Sequence, residues 1–178
     1  SPRNLAIYGK MWYDKQKLKH AYEVKTMDKG TVQVIYGTGK GKTGAALGRA
    51  LQVLNQGKTV IVIQFMKGST AGTDSEILKR LEPEMKVFRF EKQAVGFKHL
   101  SPGEKREELM NIRNGLNFAR KVTGTGECDL LILDEILDLL EYGILTEEEL
   151  KDLVREKEDS MELILTGRRC PEGLKSSV

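Results

Sequence analysis

Cysteine is scarce: Cys128 and Cys170 are the only two in 178 residues. They form no C-x-x-C pair and neither histidine is near them in sequence, which argues against a zinc site and for two reduced thiols. No apolar run approaches the ~18 residues that cross a bilayer, and the opening "SPRNLAIYGKMWYDKQK" has no apolar signal core. The expectation is a cytoplasmic chain with no membrane partner. Charge of one sign is not in excess either, with 29 basic and 26 acidic residues and a net charge of +3. Lys10, Lys15, Lys17, Lys19, Lys25 and Lys29 hold much of the basic surplus and read as a solvated helix face. Aromatics make up 6%, and none sits in a basic cluster of the kind that binds single strands, so nucleic acid is not an expected partner. No internal repeat or linker divides the chain.

What is present alternates. Apolar, β-branched runs at "TVQVIY" (31–36), "TVIVIQF" (59–65), "KVFRF" (86–90), "DLLILDE" (129–135) and "MELILTG" (161–167) read as strands. Between them, Thr43 to Asn55, "SEILKRLEP" (75–83), Ser101 to about Val122 and the stretch after Thr146 read as helices. Thr146 and Glu149 have capping-box spacing. Residues 12–25 read as a polar helix with a thin stripe of Met11, Leu18, Ala21 and Tyr22. The pattern predicts an α/β fold: a mostly parallel sheet with helices on both faces, plus an N-terminal helix. The expected division is a helical segment at 1–29 and a domain at 30–178.

In such sheets ligands bind at the carboxyl ends of the strands. Four notable segments stand there: "GTGKGKT", "MKGSTAG", "DE" and "TGRR". The first sits between a strand and a helix, as a phosphate loop does. Its glycines bring backbone N–H groups to phosphate oxygens, Lys42 supplies charge and the Thr43 hydroxyl suits Mg²⁺. Yet the G-x-x-x-x-G-K-[ST] pattern asks for glycine at 36, where Tyr36 stands, and the first glycine is Gly37. A ligand-free glycine turn is the plain alternative. Asp134 and Glu135 end an apolar strand, which suits a hydrated Mg²⁺; a helix N-cap pair is their alternative. Arg168 and Arg169 fit phosphate or a bare surface, and Lys67 is a similar case. "VGFKH" (95–99) reads as an ordinary loop, with His99 as well exposed as liganding. Spacing alone supports a nucleotide-binding enzyme or ATPase.

"YGTGKGKTGAALGRAL", "VIVIQFMKG", "VGF", "LLILDEI" followed by "YGIL", and "LILTGRRCPEGL" occur in this order over about Gly30 to Leu174. Together they resemble the P-loop type of ATP:corrinoid adenosyltransferase, in which a short G-x-G-K-G-K-T loop is a marker. The resemblance implies a RecA-like homodimer that transfers the 5′-deoxyadenosyl group of ATP to the Co(I) centre of a cobalamin or corrinoid precursor and releases triphosphate. Electrons come from a separate reductase. It also implies that Gly37, Thr38, Gly39, Lys40, Gly41, Lys42 and Thr43 hold the triphosphate, with Arg168 on a phosphate. Thr43, Glu135 and Asp134 would bind Mg²⁺, with Lys42 and Glu135 catalytic. Gly96, Phe97 and His99 would lie at the corrinoid, and the N-terminal helix would cap it. There are departures: the family's "GFTW" is "GFKH", putting His99 where tryptophan is expected, Gln52 replaces a common arginine, and Gly44 a frequent threonine. The family pattern also continues past the position of Val178. Rival readings are a RecA-like P-loop ATPase that binds nucleic acid through the basic N-terminal helix, and a small-metabolite kinase.

Overall fold

A computed structural model describes residues 5–8, 11–14, 23–27, 32–66, 72–90 and 97–175. Two short strands, β1 (Leu5–Tyr8) and β2 (Met11–Asp14), form an antiparallel pair. The main sheet has six strands: β3 (Glu23–Met27), β4 (Val32–Tyr36), β5 (Val60–Gln64), β6 (Met85–Arg89), β7 (Leu130–Asp134) and β8 (Glu162–Gly167). Their spatial order is β3-β4-β8-β7-β5-β6. Five of them run parallel, and β3 lies antiparallel on the outer side of β4. All five parallel strands fall where the apolar runs predict them.

The helix expected over 12–25 is corrected by these strands. Its apolar stripe was too thin to hold a helix on a core, whereas the open edge of β4 offers backbone partners to any extended segment. Val24 and Thr26 alternate with Lys25, and β3 pairs over its whole length, with Val24 opposite Ile35 and Met27 opposite Val32. Residues 15–22, the rest of that expected helix, lie outside the described residues.

Helices cover both faces of the sheet because side chains alternate along every strand. On one face Ile35, Val60, Val62, Leu130, Ile132 and Ile164 pack with Ala46, Ala50 and Val53 of α1 (Lys42–Asn55). On the other, Val34, Ile61, Ile63, Leu131, Leu133 and Leu165 meet Ile112, Leu116 and Ala119 of α3 (Pro102–Thr125) and Leu150 and Leu153 of α5 (Glu147–Arg155). The smaller helices are α2 (Gly72–Lys79), α4 (Asp138–Glu141) and α6 (Glu172–Lys175). Cys128 and Cys170 are both buried, and neither is in a disulfide. Burial pushes the Cys128 thiol up to about 12, so it carries no thiolate near neutrality.

Helix starts differ in one telling way. Both α3 and α5 open with complete capping boxes, Ser101 with Glu104 and Thr146 with Glu149. At α1 the N-cap is Gly41 in the left-handed region (φ 107°), with no side-chain cap and no acid in the first turn. The first N–H groups of α1 are therefore left to another partner.

At the end of β8, Gly167 fixes the height of the neighbouring segments. A Cβ added there would stand 2.3 Å from Leu137 Cβ, a backbone-proximal atom that cannot swing away. Gly167→Ala is expected to destabilise the fold by about 1–3 kcal/mol through overpacking. Urea unfolding checks this; unchanged stability would mean that the Leu137 segment moves freely.

Candidate active site

The carboxyl edge of the parallel strands gathers the polar residues. Tyr36 is the last residue of β4, in register with Gly167, and the chain turns out of the strand at Gly37 (φ 147°). Gly37 donates its N–H to the Gly167 carbonyl at 3.1 Å. Only glycine adopts that backbone angle readily, so the loop begins one residue later than the usual pattern asks. Inside the loop, Lys42 Nζ donates to the Gly39 carbonyl at 2.8 Å. The lysine thus curls over the loop it belongs to. Thr38 and Lys40 are exposed and Gly39 is half-buried.

Asp134, the last residue of β7, is fully buried. Its Oδ1 accepts from Thr166 Oγ1 at 2.7 Å and from Thr43 Oγ1 at 3.1 Å. Its Oδ2 also lies 3.1 Å from Thr43 Oγ1 and accepts from Gln64 Nε2 at 3.4 Å. The Thr43 hydroxyl thereby donates its hydrogen to a carboxylate, and an oxygen in that role can also ligate a cation. The set is hard oxygen, the kind that Mg²⁺ prefers. Among the described residues no three His, Cys, Asp or Glu side chains are arranged to hold a metal by themselves, so a cation at Thr43 and Asp134 would draw further ligands from phosphate or water.

Glu135 has the left-handed backbone angle φ 63°, rare for a residue with a side chain. Its N–H donates to Thr166 Oγ1 at 2.8 Å, so Thr166 links both acids. The two acids do not cap the next helix, because the N-cap of α4 is Leu137, with no side-chain cap. Arg168 is exposed, its backbone N–H held by Asp138 Oδ1 at 2.8 Å. Arg169 is a surface residue facing Glu141 at 3.5 Å.

A second cluster surrounds Phe97, whose ring meets Tyr142 edge-on with centroids 5.7 Å apart. Lys105 Nζ sits 5.9 Å from the Phe97 ring centre. His99 is exposed on the same turn, Phe97–His99. Lys67 and Gly96 lie outside the described residues.

The sequence reading placed the loop and the acids at one sheet edge, where Thr43 and Asp134 meet, but it did not single out Gln64 and Thr166, which bond to Asp134, or Tyr142, which meets Phe97. The first two carried a usable signal: each is a polar residue near the end of an otherwise apolar strand. Tyr142 had none, because its role depends on a contact with a residue 45 positions away.

A family model for "ATP:corrinoid adenosyltransferase BtuR/CobO/CobP" matches residues 28–178, nearly the whole chain. The chain belongs to the ATP:corrinoid adenosyltransferase family. Among its relatives, a corrinoid adenosyltransferase of Escherichia coli (strain K12) is 29% identical over 143 residues, covering 80% of this chain and 70% of the relative. Corrinoid adenosyltransferase CobA of Salmonella typhimurium is 26% identical over 159 residues, covering 87% and 78%. A Pseudomonas aeruginosa corrinoid adenosyltransferase is 26% identical over 147 residues, covering 83% and 70%. In this member the short loop after β4 is held in its frame by the bond from Gly37 to Gly167.

Thr166→Val keeps the shape of the side chain but removes a donor to Asp134 and the acceptor for the Glu135 N–H. The expected loss is about 1–3 kcal/mol of stability, that of leaving buried polar groups unpaired, together with weaker ATP binding. Urea unfolding and titration calorimetry measure the two; a variant matching wild type in both would remove Thr166 from the site.

Proposed function

We propose that this chain makes the cobalt–carbon bond of an adenosylated corrinoid, with ATP as the donor. As a member of its family it is an ATP-dependent corrinoid adenosyltransferase. The observation that carries the site assignment is the Thr43–Asp134 pair at the mouth of a glycine loop. The lone pair of Co(I) attacks the 5′-carbon of ATP. The bond from that carbon to the triphosphate oxygen breaks, and triphosphate leaves with the electron pair. Cobalt ends as Co(III), bound to the adenosyl carbon.

The protein's part is orientation and charge neutralisation. Gly37 to Thr43 and the uncapped start of α1 cradle the triphosphate, and Lys42 exchanges its Gly39 carbonyl for phosphate oxygen. Thr43, Asp134 and Glu135 would hold Mg²⁺, which when bound offsets the charge growing on the leaving group. Arg168 extends this positive lining from the end of β8. Gly96, Phe97 and His99 face the corrinoid, where Phe97 and Tyr142 give an apolar wall that Phe97 alone would not complete. The part of the 1–29 segment that precedes β3 would cap the bound corrinoid. A reductase supplies electrons, and the working unit is a cytoplasmic homodimer. No helix among the described residues is long and apolar enough to cross a membrane. The nucleic-acid alternative rested on a basic N-terminal helix, and Met11–Asp14 and Glu23–Met27 of that stretch are strands.

Two experiments test this reading. Phosphorus NMR is expected to show inorganic triphosphate appearing in step with adenosylated corrinoid, and Lys42→Ala to slow that release by about two to three orders of magnitude, the usual loss for one charge-stabilising contact. Corrinoid-independent release of ADP and phosphate would transfer the chain to the ATPase class. Phe97→Ala is expected to slow the reaction from Co(II) far more than from pre-reduced Co(I), since an apolar wall acts by excluding an axial ligand. Anaerobic kinetics measure both rates, and equal slowing would reduce Phe97 to a shaping residue.

A further inference from the structure

Gln64, Arg89 and Asp134 form one row across the sheet. Gln64 of β5 is in register with Arg89 of β6 on one side and with Asp134 of β7 on the other. Residues in register on neighbouring strands project from the same face, and the hydrogen bonds follow that row. Arg89 Nε donates to Gln64 Oε1 at 2.8 Å, and Gln64 Nε2 reaches Asp134 Oδ2 at 3.4 Å. Gln64 is buried, in a strand whose other residues are all aliphatic.

A carboxamide has one accepting end and one donating end, and a guanidinium only donates. Once Arg89 engages the Oε1 end, the NH₂ of Gln64 must point the other way, toward Asp134. Turned over, the amide would set its oxygen against the carboxylate and its NH₂ against the guanidinium, which mispairs both contacts. We propose that Gln64 and Arg89 are positioning residues: Arg89 fixes the orientation of the Gln64 amide, and the amide fixes the Asp134 carboxylate that receives the Thr43 proton. The rotation of that carboxylate decides where the Thr43 lone pairs face, and so how well Mg²⁺ joins ATP at the loop. This rests on the Mg²⁺–ATP assignment above and adds determinants three and four strands away from β4, the strand that leads into the loop.

The test is ATP affinity measured by calorimetry without corrinoid, once with Mg²⁺ and once with EDTA, for wild type, Gln64→Leu, Arg89→Met, Arg89→Lys and the double Gln64→Leu/Arg89→Met. In wild type, Mg²⁺ is expected to tighten ATP binding. In Gln64→Leu and Arg89→Met that tightening is expected to fall by about tenfold, a loss of ~1.4 kcal/mol. Affinity in EDTA is expected to stay within about twofold, because the loop's own phosphate contacts are untouched. The double variant is expected to lose no more than Gln64→Leu, the mark of two residues acting in series. Arg89→Lys, which still donates to Oε1 and disturbs packing least, is expected to keep most of the effect. Wild-type Mg²⁺ tightening in Gln64→Leu and Arg89→Met, losses that multiply in the double variant, or an equal fall in EDTA would each overturn the proposal. A wild-type protein whose ATP affinity ignores Mg²⁺ would instead overturn the metal assignment on which it rests.

Discussion

The carboxyl edge of the sheet is organised around one buried charge. Asp134 has no exposed surface, and an ionised carboxylate in such a place is costly unless its oxygens are hydrogen-bonded. Donors reach it from separate places, among them Thr43 at the start of α1, Thr166 at the end of β8 and Gln64 at the end of β5. Meeting that need therefore aligns the glycine loop with two strand ends at once. Positions 64, 134 and 166 lie on β5, β7 and β8, adjacent in the sheet order though up to 102 residues apart in the chain. The parallel sheet makes such a meeting possible, since its strands all finish on the same side.

Backbone strain gathers where the polar residues do. Met66 (φ 60°), just beyond β5, and Glu135 (φ 63°), just beyond β7, are the side-chain-bearing residues with left-handed angles among those described. Each such residue costs of order 1 kcal/mol and persists where surrounding contacts hold it. At Glu135 the holding contact is visible in the bond from its N–H to Thr166. The strain turns the second acid out of the strand direction while the first stays in the sheet, so two adjacent acids serve different surroundings.

How much of this was legible beforehand follows from the range of each interaction. The strands at 60–64 and 130–134 read plainly because burial on both faces leaves a continuous apolar run. The capping boxes at Ser101 and Thr146 read because their whole mechanism fits within four residues. Glu23–Met27 did not, because it is held as a strand by pairing with the edge of β4, and an edge is not visible in local composition. The acids of "DE" and the Lys42-Thr43 pair were found from their place at element ends. That Asp134 bonds to Thr43 from within the strand while Glu135 turns out of it depended on the backbone angle at 135, which no residue pattern announces.

The register of Tyr36 with Gly167, and the hydrogen bond that follows it, bear on how such a scaffold could change. Lengthening the loop to the usual P-loop spacing would need an insertion between Tyr36 and Gly41. The strand cannot slide to absorb it, because a one-residue slip turns every side chain of β4 to the opposite face. Val34 and Ile35 would exchange cores, and the antiparallel ladder on the other side of β4 would slip with them. The added residue would have to bulge outward from the carboxyl edge of the sheet. Converting this scaffold to ordinary γ-phosphoryl transfer is therefore not a matter of one glycine: loop length and sheet register would have to change together, which makes the short loop a trait that piecemeal substitution cannot easily undo.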